Sequence, residues 1–406
     1  VSYSFDHRQI ADEMEIFVSN ELLGAGLPVW LPNGVAIRDE LERFIKERES
    51  RAGYQRVVSP VVGRGELYEK SGHLKHYREN MFPPMRWPDS VEEFFLRPMN
   101  CPHHHLVFSA LPRSFRSLPL RIAEYGQVYR YENSGSLHGL SRVRGLCQND
   151  AHIYVDPKHA EGEIRKVLEL HEEAYRALGL VGYRYRLSKH DPKKPDGFEG
   201  PKDLWIHCEA ILRKILEEMS LPFFEAEDEA AFYGPKIDVQ MRLGQKEESI
   251  ASVQLDFLSA ERFDLSFVAS SGERVRPWVI HRAPLGSHER FVAMLLEYYD
   301  GQLPGWLSPV QVYVLPVAEE QLSEAKEIVE KLWAAGIRAK VDESAGSLSK
   351  RMLFAHRCRP FSKIVIGPKE LASGALKLQL RQEQFELWRV NLVDELRKLL
   401  ARPPVC

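Results

Sequence analysis

The chain has 406 residues and a formal net charge of −3 at pH 7, which is too long for one ordinary core and predicts two or three domains. A near-neutral balance excludes a globally basic nucleic-acid binder, so any such surface must be local. No run of roughly eighteen apolar residues and no charged-then-apolar leader is read in it, so neither a membrane span nor a secretory signal is expected.

The elements follow in order. An opening helix is expected over residues 7–23, with Ile10, Met14, Phe17 and Val18 on one face, ending near Gly24 to Pro28. A second, over residues 36–51, carries Leu41, Phe44 and Ile45 and leads into a strand that ends at Pro60. Beyond Leu120 the pattern turns to strands at 123–131, 147–155, 183–188, 236–243, 250–257 and 276–281. Alternation is plain in Ile237, Val239, Met241 and Leu243. Between them Asp156 and Pro157 open a helix that runs to about Leu178. One antiparallel sheet flanked by helices is the expected α+β body. After Trp306 to Pro309 the rhythm becomes strand, helix, strand, helix, with strands at 311–317, 337–341, 364–367 and 375–380 and helices at 319–334, 347–356 and 391–401. That rhythm predicts a separate small α/β domain with a mixed or mainly parallel sheet. Lys and Arg modestly outnumber Asp and Glu there.

The cysteines, Cys101, Cys147, Cys208, Cys358 and Cys406, lie far apart, form no CxxC pair and are odd in number. Reduced thiols in a cytoplasmic compartment are expected.

Two arginines stand out. Arg130 lies in YRYENSGSLHGLSRVRG at 129–145, where a strand turns through a polar loop and returns through Arg142 and Arg144. Arg290, in GSHERF at 286–291, opens a helix with Phe291, Met294, Leu295 and Tyr298 at helical spacing. Fixed guanidinium forks suit a polyphosphate. Either arginine taken singly also suits a surface ion pair.

The words around them resemble the three motifs of the class II aminoacyl-tRNA synthetases, and the threonyl branch in particular. Motif 1 resembles the helix 38–51 with its following strand, motif 2 residues 121–154 and motif 3 residues 278–299. Further threonyl-branch words are KSGHLKHY at 70–77, RPMNCPHH at 97–104, QNDAHIY at 148–154, AFYGPKIDV at 231–239 and VQLDF at 253–257. The resemblance is specific to about Pro316 and loosens beyond it.

It implies a catalytic domain over residues 1–308 and an anticodon-binding domain over 309–406. It also implies a threonine–tRNA ligase that makes threonyl-adenylate from ATP and transfers threonine to tRNA(Thr), as a homodimer joined through the motif 1 region. Arg130 would hold the α-phosphate and the threonine carboxylate, Glu132 would face the adenine amino group, Arg290 would hold the γ-phosphate, and Arg144 would also touch ATP. Mg²⁺ would bridge the phosphates. Cys101, His152 and His281 would hold one Zn²⁺. From spacing alone that triple forms no zinc word, and His103, His104 and His105 are chemically equal candidates. Three protein ligands and an open position would let threonine coordinate through its amino and hydroxyl groups. Valine would then fail, whereas an apolar pocket separates such isosteres only roughly a hundredfold. Gln148 and Asp150 share the face of His152 by two-residue alternation. With Tyr233, Lys236 and Gln254 they would complete the pocket, and His73 would approach the terminal ribose of the tRNA.

Serine keeps both metal donors and lacks only a methyl, so without the family's N-terminal editing domain, which nothing in the sequence matches, detectable serylation is expected. The basic stretch LSKRMLFAHRCRPFSK at 348–363 suits a backbone-plus-stacking RNA surface, with Lys350, Arg351, Glu370 and Arg381 as candidates. Because that tail follows the family loosely, the alternative is a paralogue that activates threonine for a different carrier or tRNA.

Overall fold

The computed structural model describes residues 6–403 apart from 195, 196, 245, 345 and 382. Cys406 lies outside the described residues, and the other four cysteines are free thiols. Among the described residues no helix is long and apolar enough to cross a membrane.

An eight-stranded sheet organises residues 55–283: β1 Gln55–Arg56, β2 Leu120–Tyr129, β3 Gly145–Val155, β4 Tyr183–Ser188, β5 Phe223–Ala226, β6 Lys236–Leu243, β7 Lys246–Asp256 and β8 Trp278–Ala283. Their order is β5-β4-β6-β7-β8-β3-β2-β1. The body is antiparallel, as expected, with one parallel pair at each edge, β5 on β4 and β1 on β2.

Alternation gives this sheet two unlike faces. Ile153, Val155, Val253, Leu255, Ile237, Val239 and Ile280 turn to one side and pack under the helices Pro32–Arg51, Ala160–Ala177, Lys202–Glu218 and His288–Tyr298 in the largest apolar cluster. The Lys202–Glu218 helix is an addition to the expected elements, and in it Trp205, Cys208, Leu212, Ile215 and Leu216 bury one helical stripe. The opposite face carries polar residues and is crossed by the short helix Cys101–Ser109.

The opening helix is shorter than expected, His7–Glu13. Glu15 takes a positive φ of 53°, which ends the helix, and Phe17–Val18 then pairs as a strand with Val29–Trp30. The 3.6-residue spacing of Phe17 and Val18 with the helix is therefore incidental.

The first cluster extends to Leu307, and a second begins at Val312. The second lines a five-stranded mixed sheet: β9 Val312–Pro316, β10 Ala339–Val341, β11 Ser362–Ile366, β12 Ala375–Leu380 and β13 Glu383–Trp388, ordered β10-β9-β11-β12-β13. β10, β9 and β11 are parallel, and β12 and β13 return antiparallel. Arg338, just before β10, donates to Glu40 Oε1 of the Pro32–Arg51 helix at 2.8 Å and to the carbonyls of Trp306 and Ser308 in the connecting segment.

Candidate active site

Strand register brings distant residues into one row. His152 on β3 lies opposite His281 on β8, His281 opposite Gln254 on β7, and Gln254 opposite Lys236 on β6. Residues directly opposite share a face, so these four side chains stand side by side although more than 120 positions separate His152 from His281. Cys101 enters from the first turn of the helix that crosses this face. One donor atom each from Cys101, His152 and His281 lies within 4.8 Å of the others, and all three residues are buried.

This donor set fits a zinc ion: one thiol and two imidazoles converge, both are zinc-ligand types, and three protein ligands leave a fourth position open. His281 hydrogen-bonds Asp256 Oδ2 through Nε2 at 2.9 Å, leaving Nδ1 to the cluster. A carboxylate behind a ligating imidazole is the usual support of such a site. His152 uses Nδ1 for a 2.7 Å contact with His104 Nδ1, and His104 Nε2 reaches Glu124 Oε2 at 3.0 Å. Burial, and then the like charge of His281, hold the His152 pKa well below the usual histidine range. Burial, reinforced by Asp150 and Asp256, pushes the Cys101 thiol up. Of the neighbouring histidines, His104 backs His152 and His105 hydrogen-bonds the Tyr154 hydroxyl at 2.9 Å.

Beside the cluster, Tyr233 stacks on the His281 ring at 5.1 Å between centroids and hydrogen-bonds Gln254. Asp150 is held by the side-chain amide of Asn100 at 2.9 Å. Asn100 fits only because residue 126 is glycine, since a Cβ there would overlap the Asn100 side chain. His73 is buried, contacting Ser71 Oγ at 2.7 Å and Met99 Sδ at 3.2 Å. Burial, and then Arg130, bring its pKa down to about 3.

A cavity of about 330 Å³ adjoins this pocket, lined by Arg130, Glu132, Arg142, Gln148, Lys236 and Arg290 among others. Ser287 caps the helix that presents Arg290, accepting from its backbone N–H at 3.3 Å. Arg130 donates to the Pro98 carbonyl, and Arg290 to the carbonyls of Ser141 and Ser249. Among the described residues neither guanidinium makes an ion pair, so the surface ion-pair alternative does not hold. Desolvation by the cleft walls, and then the like charge of Arg130, lower the Arg290 pKa, although the side chain stays open to solvent along the cleft. Lys236 is 3.0 Å from Asp238.

Glu132 lines the cavity but its carboxylate is bound by Arg142 at 2.9 Å. Arg144 instead lies over the Tyr131 ring and donates to the Glu132 carbonyl. Sequence reading passes over Arg142 as a cavity residue, and also Asn100, Asp256 and Glu124; it offers His104 only as a candidate ligand, not as the partner of His152 that it is here. Asn100 and Asp256 lie inside the recognised words MNCP and VQLDF, whereas Glu124 is placed only by pairing opposite Asp150.

The class II tRNA synthetase core domain of the glycyl, histidyl, prolyl, seryl and threonyl type matches residues 86–299, and an anticodon-binding domain matches residues 311–401. The chain is 42% identical over 403 residues to the threonine–tRNA ligase of Staphylococcus carnosus, covering 97% of this chain and 62% of that protein. It is 44% identical over 376 residues to the ligase of Listeria monocytogenes, covering 92% and 58%. The crystal structure of the RNA binding domain of threonyl-tRNA synthetase from Cryptosporidium parvum superposes with a TM-score of 0.90 at 31% identity, covering 98% of this chain and 99% of that one. The chain belongs to the threonyl-tRNA synthetase family. It spans about three fifths of the length of the curated threonine–tRNA ligases it matches. In this family setting the motif 2 and motif 3 arginines, Arg130 and Arg290, face one cavity, the first from the end of β2 and the second from the His288–Tyr298 helix.

Proposed function

We propose that this chain carries the activity of a threonine–tRNA ligase: it forms threonyl-adenylate from threonine and ATP and transfers threonine to tRNA(Thr). The carrying observation is the convergence of Cys101, His152 and His281 beside a cavity in which Arg130 and Arg290 have no carboxylate partner among the described residues. In the first step a threonine carboxylate oxygen attacks the α-phosphorus, the bond to the bridging oxygen breaks, and pyrophosphate leaves; Mg²⁺ would supply charge to the phosphates. Arg130 would hold the carboxylate and α-phosphate together and Arg290 the γ-phosphate, with Arg142 and Lys236 adding positive charge. The protein thereby contributes alignment and charge neutralisation. Glu132 would meet the adenine amino group once Arg142 swings to phosphate, and Arg144 would hold the motif 2 loop over the nucleotide. In the second step a hydroxyl of the tRNA terminal ribose attacks the carbonyl carbon and AMP leaves, with His73 near that ribose.

Cys101, His152 and His281 would hold Zn²⁺. A bound zinc ion supplies Lewis acidity for the threonine amino and hydroxyl groups, by which valine is told apart. Asp150 would accept from the threonine ammonium or hydroxyl, Gln148 would flank the adenylate, and Tyr233 and Gln254 would close the pocket wall.

The same reading divides the chain into a catalytic domain, 1–308, and an anticodon-binding domain, 309–406, supported by the change of apolar cluster between Leu307 and Val312. It pairs two copies through the region of the Pro32–Arg51 helix. ATP–pyrophosphate exchange with threonine, serine and valine, with and without a chelator, tests it. Threonine-dependent exchange that falls on chelation and returns with zinc is expected. Exchange indifferent to the amino acid would refute it.

A further inference from the structure

A histidine ligates a metal only through a nitrogen without hydrogen, so a ring poised for a metal must carry its hydrogen on the other nitrogen. In His281 one carboxylate decides this, because Asp256 Oδ2 accepts from Nε2 and Nδ1 is left bare. His152 has no carboxylate against it. Its Nδ1 meets a second imidazole, His104, at 2.7 Å, Nδ1 to Nδ1. One of the two must donate and the other accept, and that contact taken alone permits either.

The far end of the contact breaks the tie. Glu124 is 3% exposed, and its carboxylate is ion-paired with Arg97 and receives both the N–H and the hydroxyl of Ser59, partners that hold it ionised whatever His104 does. An ionised carboxylate can only accept. His104 Nε2, 3.0 Å away, points its hydrogen at that carboxylate, and an imidazole that carries its one hydrogen there leaves Nδ1 bare. That bare Nδ1 accepts, so His152 donates from Nδ1 and its Nε2 faces Cys101 and His281 as a lone pair. Glu124 is itself anchored: the Ser59 N–H at 2.9 Å and Arg97 at 3.2 Å donate to Oε1, and Ser59 Oγ at 2.7 Å to Oε2. We propose that Glu124, acting through His104, sets the metal-binding tautomer of His152, which makes both of them positioning residues of the threonine pocket.

The inference rests on the zinc reading for its purpose but not for its geometry, and this separates the two failures. Glu124→Gln is the decisive variant. The Oε1 position already receives two donors, so the glutamine oxygen belongs there and its NH₂ faces His104 Nε2. The relay then runs backwards: His104 donates from Nδ1, and His152 takes its hydrogen on Nε2, turning it on the cluster. Nitrogen-15 spectra of histidine-labelled, metal-free protein, assigned by difference with His152→Gln, read this directly. The expected result is an Nδ1–H tautomer at His152 in the wild type and Nε2–H in Glu124→Gln. Zinc affinity, by chelator competition, is expected to fall about 10- to 100-fold in that variant. His104→Asn, whose Oδ1 accepts whatever stands at 124, is expected to retain zinc and to make its affinity insensitive to Glu124→Gln. It also keeps the test available should Glu124→Gln alone fold poorly. An Nε2–H tautomer at His152 in the wild type, or unchanged tautomer and affinity in Glu124→Gln, overturns the proposal. A wild type that shows the Nδ1–H tautomer but takes up no zinc defeats the zinc reading and leaves the relay standing.

Discussion

Two arginines eight residues apart behave in opposite ways. Arg282, on the helix face of β8, donates to Glu49 at 2.8 Å and stacks on Tyr54, while Asn149 from β3 donates to the same Glu49. Burial disfavours its charge, yet Tyr54 and Glu49 outweigh that and raise its pKa. Arg290, toward the cleft, donates among the described residues only to backbone carbonyls, and its pKa is lowered. The comparison shows how one sheet separates framework from chemistry. Where charge is matched inside the protein it joins elements together, and where it is left unmatched it is reserved for a ligand.

The largest expected effect attacks the framework. Glu49→Ala strands Arg282 without its counter-charge and is expected to cost about 3–5 kcal/mol of unfolding free energy, measured by urea denaturation. A loss below about 1 kcal/mol would mean the two arginines do not differ as described. On the cleft side, Arg290→Ala is expected to leave the urea midpoint unchanged or slightly higher while lowering threonine-dependent pyrophosphate exchange about 10²- to 10³-fold. A variant that unfolds but keeps its specific activity would reverse the assignment. Zinc removal is expected to narrow the threonine-over-valine preference to about a hundredfold, the limit of shape alone, read as the ratio of the two kcat/KM values before and after chelation.

The smallest effect concerns acid. Glu42, on the Pro32–Arg51 helix, meets His288 at 3.0 Å and Lys46. Burial opposes its charge, and these two partners outweigh it, holding the pKa at about 2 against an ordinary 4.5. A lowered folded pKa means stability that is complete above about pH 4.5 and is lost as pH falls toward 2. The wild-type unfolding free energy, from urea titrations, is expected to fall more steeply than that of Glu42→Gln across this window, by at most about 1.4 kcal/mol per pH unit. Parallel profiles would remove Glu42 from the framework.

The cleft was legible where it is written in contiguous words. MNCP, QNDAH and GSHERF pointed to Cys101, His152 and Arg290 by resemblance, and alternation to the shared face of Gln148, Asp150 and His152. What sequence does not encode locally is register. That His152 stands opposite His281 depends on pairing between segments far apart in the chain, and that Glu124 stands opposite Asp150 depends on the length of the loop that joins β2 to β3. Asn100 and His104 act only because one short helix lies across the sheet. Arg144 reads as well as Arg142 in RVRG, and the loop conformation alone places Arg142 at the cavity and Arg144 over Tyr131. The overlong opening helix has a similar source: a period that continues past Glu15 says nothing about the backbone reversal there.

Gly126 has no side chain with which to touch a substrate, yet that lack decides where Asn100 can stand and so how Asp150 is aimed. The setting of Asp150 is thus partly written as empty space, on the strand beside the one that carries His152. A single methyl added at position 126 would displace Asn100 and leave Asp150 without its amide while every residue lining the pocket kept its chemistry.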